Sequence, residues 1–209
     1  MTNDRSGHAA HGLAGSKAPG VTLRHATATD AGEIAKLFLI SSDGLARYIW
    51  SRIARPGEAL EDVGAARYAR GGVAFSFENC LVATDGDGLV VGMAHAFEME
   101  PRQPGDIEDD PVLRPYAELE EPGSLYLSGL AVHEGHRGLG IGAQLMNRVE
   151  AQASAGGLPS VSLICFEANK LAMSFYRRRG YAEVARRPIV PHPSLRYGEG
   201  DAVLLARQT

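Results

Sequence analysis

Leu130-Ala131-Val132-His133-Glu134-Gly135-His136-Arg137-Gly138-Leu139-Gly140-Ile141-Gly142-Ala143 is the stretch on which the fold turns. An apolar, strand-like run passes through a short polar turn into glycines. Beyond them Ile141, Leu145, Met146 and Val149 recur at helical spacing as far as about Ala155. A helix that opens among glycines leaves its first N–H groups free, and its dipole favours an anion at that end. Arg137 adds a permanent cation beside those amides. The stretch therefore predicts a pyrophosphate site, while a turn that merely needs positive φ would spell the same glycines.

Downstream, Gly156-Gly157 leads to an apolar strand at 160–166, which completes a strand–helix–strand unit. A further helix is expected from about Asn169 to Arg179, stopped by Gly180, and strands near 181–190 and 201–206 close the chain. Upstream, a strand at 124–132 feeds the glycine turn. Before it, the period of 81–83 and 89–99 about Asp85-Gly86-Asp87-Gly88 predicts a hairpin. Between hairpin and strand, residues 100–121 are acidic and Pro-rich, which reads as a loop over a substrate cleft.

The earlier part begins with a strand at 21–25. Thr29 and Asp30 are cap candidates before Ile34, Leu37 and Phe38 at helical spacing. Gly44 breaks that pattern, Leu45, Tyr48, Ile49 and Ile53 resume it until Pro56, and a weaker helix covers 59–70. Residues 1–19, rich in Gly, Ala, Ser and His, have too little apolar surface to fold and are expected to form a disordered tail before a single domain at 20–209.

Bulk properties narrow the partners. A length of 209 residues supports one sizeable core, and a net charge of −4 provides no electrostatic footprint for nucleic acid. No apolar run approaches a membrane span, and the opening residues lack the apolar centre of a signal peptide. Cys80 and Cys165 lie in apolar strand-like stretches without metal-ligand spacing, so both read as reduced, buried small hydrophobes. Together these features predict a soluble cytoplasmic protein with no metal site. Assembly stays open, with a homodimer among the options.

Three phosphate-binding readings compete. A P-loop fails, because Gln144 and Leu145 stand where its Lys and hydroxyl belong. Gly138-Leu139-Gly140-Ile141-Gly142-Ala143 satisfies the relaxed dinucleotide fingerprint, with Glu167 ending the next strand as a ribose-binding acid would. Against it, five residues separate strand from glycines and only one further helix follows. The third reading is Arg137-x-x-Gly140-x-Gly142, which resembles the acyl-CoA pyrophosphate motif of the GNAT superfamily, Arg/Gln-x-x-Gly-x-Gly/Ala. That family's later motif, Asn-x-x-Ala-x-x-Phe-Tyr-x-x-x-Gly-Phe/Tyr, is matched by Asn169, Ala172, Phe175, Tyr176, Gly180 and Tyr181.

The resemblance implies an α/β, GNAT-like fold, with a mixed, mostly antiparallel sheet flanked by helices and splayed at the acyl-CoA site. It implies direct attack of a primary amine, from a small molecule or a peptide, on the thioester of acetyl-CoA. By the same analogy the cofactor is held by Leu130, Ala131, Val132, Arg137, Gly138, Leu139, Gly140, Ile141, Gly142, Ala143, Asn169 and Tyr176. Tyr176 matches the general acid that protonates the departing thiolate, while a buried stripe with Leu171, Ala172 and Phe175 is its purely structural alternative. Asn169 is equally an N-cap. Gly129 inside a strand suggests a bulge, or a glycine packed beneath a helix.

No general base is marked. Tyr126 and Ser128 share the strand face that meets the acceptor, Ser128 is too weak a base to act alone, and a water relay is expected. His95, Glu98 and Glu167 are reserves. A non-catalytic acyl-CoA-binding regulatory module on the same fold, and a dinucleotide-binding domain, are the alternative functions.

Overall fold

The structure, a computed structural model, describes residues 20–101, 105 and 107–209; the tail at 1–19 lies outside the described residues. Seven strands form one sheet: β1 (Thr22–His25), β2 (Cys80–Thr84), β3 (Val90–Glu98), β4 (Leu125–Val132), β5 (Ser160–Phe166), β6 (Ala182–Pro188) and β7 (Asp201–Gln208). They lie in the order β1-β2-β3-β4-β5-β7-β6, and every neighbouring pair is antiparallel except β4 with β5. The expected mixed sheet is therefore present. A dinucleotide fold, which needs successive parallel βαβ units, is overturned by this topology.

Period-two alternation sorts the strand side chains into two cores. Leu81, Ala83, Val203 and Leu205 face α5 (Ile141–Ala155), which buries Ile141, Leu145, Met146 and Val149. The helix α6 (Lys170–Arg178) joins that side through Met173 and Tyr176. Cys80 and Val82 face the other side, where α1 (Ala31–Ser41), α2 (Leu45–Ser51) and α3 (Leu60–Tyr68) contribute Ile34, Phe38, Trp50 and Tyr68. Gly64 is the meeting point of α2 and α3, since a Cβ there would fall 2.4 Å from the Trp50 ring. Both cysteines are buried free thiols. No helix among the described residues is long and apolar enough to cross a membrane.

Two local expectations need correction. The segment at 100–121 is not loop throughout, because α4 (Arg114–Ala117) forms within it. Asp110 organises the turn that leads into it, accepting hydrogen bonds from the Val112 and Leu113 N–H groups, and Pro115 fits the first helical turn. At α1 the N-cap position is held by Asp30, one of the two candidates, and not by Thr29. A 3-10 turn at Ala28–Asp30 precedes the helix, and the Asp30 carboxylate accepts from Thr27 N at 2.8 Å and from its hydroxyl at 2.9 Å.

Asp30 also receives both arms of Arg24 from β1, at 2.7 and 2.8 Å, so one buried carboxylate joins sheet edge to helix start. The Arg24 guanidinium beside it lowers its pKa to about 2. A depressed acid stabilises the fold above its unfolded pKa, and this contribution disappears as pH falls through the folded value. Asp30→Asn should therefore cost about 2 kcal/mol at neutral pH. Urea titrations should find the gap between wild type and variant closing as pH drops from 4 towards 2; a gap that is independent of pH would show that the ion pair does not supply it.

Candidate functional site

The strands β4 and β5 pair only at Leu125 with Val161 and Tyr126 with Ser162, then part. Into this opening fits a cleft of about 990 Å³, bounded by β4, β5, the α1–α2 turn, α3, α4 and the start of α6. A bulge shapes its floor: His95 pairs with Gly129 and Ala96 with Leu127, which leaves Ser128 as the extra residue of β4. Gly129 is packed beneath α1 as well, since a Cβ there would lie 2.9 Å from the Phe38 ring and the Ser41 hydroxyl. The bulge and the close packing, weighed as alternatives from sequence, are both present.

Backbone direction follows from one hydrogen bond. His133 N–H donates to Val91 O of β3, and groups alternate along a strand, so the N–H groups of Val132 and Leu130 point away from β3 into the opening. Ala131 is turned the other way, opposite Met93, with its methyl buried under α1. Arg137 donates from Nε to Val132 O at 3.0 Å, which holds its guanidinium where β4 ends. Of the motif residues, Leu130, Ala131, Val132, Arg137, Asn169 and Tyr176 line the cleft, together with Tyr126 and Ser128.

Residues 138–143 are not in the cleft wall but turn beyond Arg137 into α5. Gly138 and Gly140 sit at φ 77° and 78°, and Cβ atoms at Gly138, Gly140 or Gly142 would meet nothing within 4 Å. The start of α5 is thus an open platform of N–H groups with room for a ligand against the backbone.

Chemistry at the floor centres on His95, which is fully buried. Its Nε2 lies 2.9 Å from Ala74 O, an acceptor only, so Nε2 carries the proton. Nδ1 of the neutral ring then accepts from Ser128, whose Oγ is 2.5 Å away, with the Tyr68 hydroxyl a second, longer donor at 3.3 Å. The Ser128 proton is committed to the ring, and its remaining lone pairs are acceptors for a ligand N–H. Burial pushes the His95 pKa down to about 4, so the ring is neutral at physiological pH and is a poor base.

Tyr176 is buried in α6 and has no hydrogen-bond partner for its hydroxyl among the described residues. Burial, and behind it the proximity of Cys165, raises its pKa, so the phenol keeps its proton. Of the apolar stripe considered for α6, Ala172 and Phe175 pack against the core beside Tyr176, while Leu171 is 87% exposed. Asn169 caps α6 by accepting from Ala172 N at 3.2 Å, and its Nδ2 donates to Asp43 at 2.8 Å.

Asp43 was not legible as a site residue. It sits at φ 47° in the α1–α2 turn, buried, with Arg196 3.6 Å away and its pKa raised by desolvation. Only the turn spelling Ser42-Asp43-Gly44 hinted at it. Arg67, Phe75 and Phe97 were likewise missed, being unremarkable in any sequence motif, and all three line the cleft. The reserve bases fare differently: Glu98 is exposed at the end of β3, and Glu167 lies 3.6 Å from Arg186. His133 and His136 approach Glu33 and Asp85, at 3.5 and 4.0 Å.

The sequence profile of the Acetyltransferase (GNAT) family matches residues 49–181. This chain is a member of that family. Acetyl-CoA is the family's acyl donor. Similar folds occur in an N-acetyltransferase from Staphylococcus aureus Mu50 (TM-score 0.62, 16% identity, covering 89% of this chain and 100% of that one). A GCN5-related N-acetyltransferase from Kribbella flavida has TM-score 0.58 and 20% identity, covering 91% and 98%. Ard1 from Thermoplasma volcanium has TM-score 0.56 and 16% identity, covering 91% and 98%.

The acetyltransferase's β4 floor depends on the missing side chain at Gly129. Gly129→Val should push Phe38 and Ser41 outward and cost about 1–3 kcal/mol by overpacking, measured by chemical denaturation. An unaltered stability would mean that α1 yields freely at this contact.

Proposed function

We propose that residues 20–209 form a cytoplasmic domain that transfers the acetyl group of acetyl-CoA to a primary amine of a small-molecule or peptide acceptor. The observation that carries this reading is the open edge of β4, whose Leu130 and Val132 N–H groups face the same cleft as the Tyr176 hydroxyl, which has no partner among the described residues. An extended pantetheine arm fits such an edge as an added strand, because its amides need the hydrogen bonds that β5 does not make there. The pyrophosphate belongs at the platform of Gly138, Leu139, Gly140, Ile141, Gly142 and Ala143, with Arg137 beside it.

In this reading the amine nitrogen forms a bond to the thioester carbonyl carbon as the C–S bond breaks. Leu130 or Val132 N–H polarises the carbonyl oxygen. Ser128, its own proton held by His95, accepts an N–H of the amine and orients the nitrogen lone pair. Tyr176 gives its proton to the CoA sulfur as it leaves and takes up the proton that the acylated nitrogen releases, so that one amine proton is in balance transferred to the thiol. A protonated acceptor first sheds a proton to water, before the attack, since neither Ser128 nor a neutral His95 is basic enough to keep it. Asn169 holds α6, and with it Tyr176, against the cleft.

Two measurements test the assignment. Gly142→Glu adds a carboxylate to the first turn of α5, where it suits the helix dipole and meets no neighbour, yet opposes a bound pyrophosphate. Its melting temperature should equal or exceed that of wild type, while calorimetry should find acetyl-CoA bound at least about tenfold more weakly. Unchanged affinity would move the pyrophosphate elsewhere.

Tyr176→Phe keeps the ring and deletes the donor. Single-turnover acetyl transfer over an amine panel should slow by at least about tenfold, with acetyl-CoA affinity within a few-fold of wild type. Wild-type rates would leave Tyr176 as a core residue, and a wild-type protein that binds acetyl-CoA but acetylates no amine would favour the non-catalytic binding module.

A further inference from the structure

Within the cleft wall, α3 presents a cation that the acetyl-transfer chemistry does not use. Arg67, in the last turn of α3, is half-buried, and its guanidinium lies 6.0 Å above the centre of the Phe75 ring. Among the described residues no carboxylate stands within ion-pairing distance of it. Burial disfavours its charge, and the neighbouring Arg70 disfavours it further. The aromatic face and the C-terminal end of the helix each offset part of this cost. Neither makes a hydrogen bond to the guanidinium fork among the described residues, and that fork matches a carboxylate in planarity and donor spacing.

The position of Arg67 relative to the reacting groups follows from ring contacts. Phe75 touches His95, with ring centres 5.1 Å apart, and His95 holds the Ser128 hydroxyl. Phe75 also touches Phe97, and Phe97 touches Tyr126, with centres 5.6 and 5.7 Å apart. One continuous aromatic wall thus runs from an unpaired cation to the acceptor-only oxygen of Ser128. A ligand spanning it needs an N–H donor at one end, an apolar or aromatic body, and an anion at the other.

We propose that the acceptor of this acetyltransferase is an amine that carries a carboxylate beyond an apolar spacer, the carboxylate being held by Arg67. The inference rests on the amine-acetylation reading above for the fate of the nitrogen, but the Arg67 contact is a matter of binding and is measurable without turnover. Uncharged amines leave the guanidinium desolvated and unpaired in the complex, and purely cationic acceptors bring a like charge towards it.

Matched amines with and without the acid test this: 4-(aminomethyl)benzoate against benzylamine, and 6-aminohexanoate against pentylamine. Wild-type protein should prefer the acid of at least one pair by about tenfold or more in kcat/KM, the scale of one charge-assisted hydrogen bond. Arg67→Met, which keeps the aliphatic stem over Phe75, should reduce that preference to within about twofold. A preference for the uncharged amine in both pairs, or one that Arg67→Met leaves unchanged, overturns the proposal.

Calorimetric titration of the same acids into CoA-saturated protein separates the two levels of inference. Binding of an acid that weakens at least about tenfold in Arg67→Met sustains the carboxylate site even where no acetyl transfer occurs, in which case the transfer reading is what fails. Acids that do not bind at millimolar concentration, or that bind both proteins equally, remove the carboxylate site whatever the turnover with other amines.

Discussion

The separation of β4 from β5 after Tyr126 is the constraint on which the rest of the structure depends. A sheet that stops pairing in its own middle leaves backbone N–H and C=O groups in want of partners, and such groups are costly unless something supplies them. The surrounding elements keep the gap open without filling it. On one side Gly129 lets α1 press against the strand, and on the other Asn169 starts α6 at the lip of the opening. The bulge at Ser128 bends β4 away from the line that would have continued its ladder with β5.

Both cores serve this geometry. The side containing α5 and α6 is a conventional apolar layer, and it fixes the start of α5 at the end of β4. The side containing α1, α2 and α3 is richer in aromatic groups around Phe38, Tyr68, Phe75 and His95. Rings packed edge-to-face or tilted make a wall with few rotatable bonds, so the polar atoms attached to it, the Ser128 oxygen above all, are held in place. A buried imidazole in that wall is neutral and serves to orient the hydroxyl of Ser128.

Much of this was legible in the sequence, for reasons that differ by region. The glycine turn, Arg137 and the Asn169–Tyr181 motif are local: a few residues at set spacing state both a backbone conformation and a chemistry. Strand and helix order followed from periodicity, while the mixed sheet was what the family resemblance implied. The Ser128 bulge was suggested by Gly129, but its partner His95 was not, because a pairing across strands 33 residues apart leaves no mark on local spacing. Asp43, Arg67 and Phe75 belong to the same class. Each becomes informative only when its neighbours are known, as when Arg67 is found without an acid and Asp43 is found buried. The helix α4 was hidden for another reason, since Pro and acidic residues read as loop until Asp110 is seen fixing the turn that leads into it.

Asn169 spends the two ends of one carboxamide on different elements, its oxygen on the first turn of α6 and its nitrogen on Asp43 in the α1–α2 turn. The helix that carries Tyr176 and the turn that borders the opposite lip of the cleft are therefore hinged on a single planar group. A planar amide transmits rotation: tilting its oxygen with α6 swings its nitrogen away from Asp43. Whatever seats α6 more firmly also seats that turn, and thermodynamic reciprocity makes the reverse equally true.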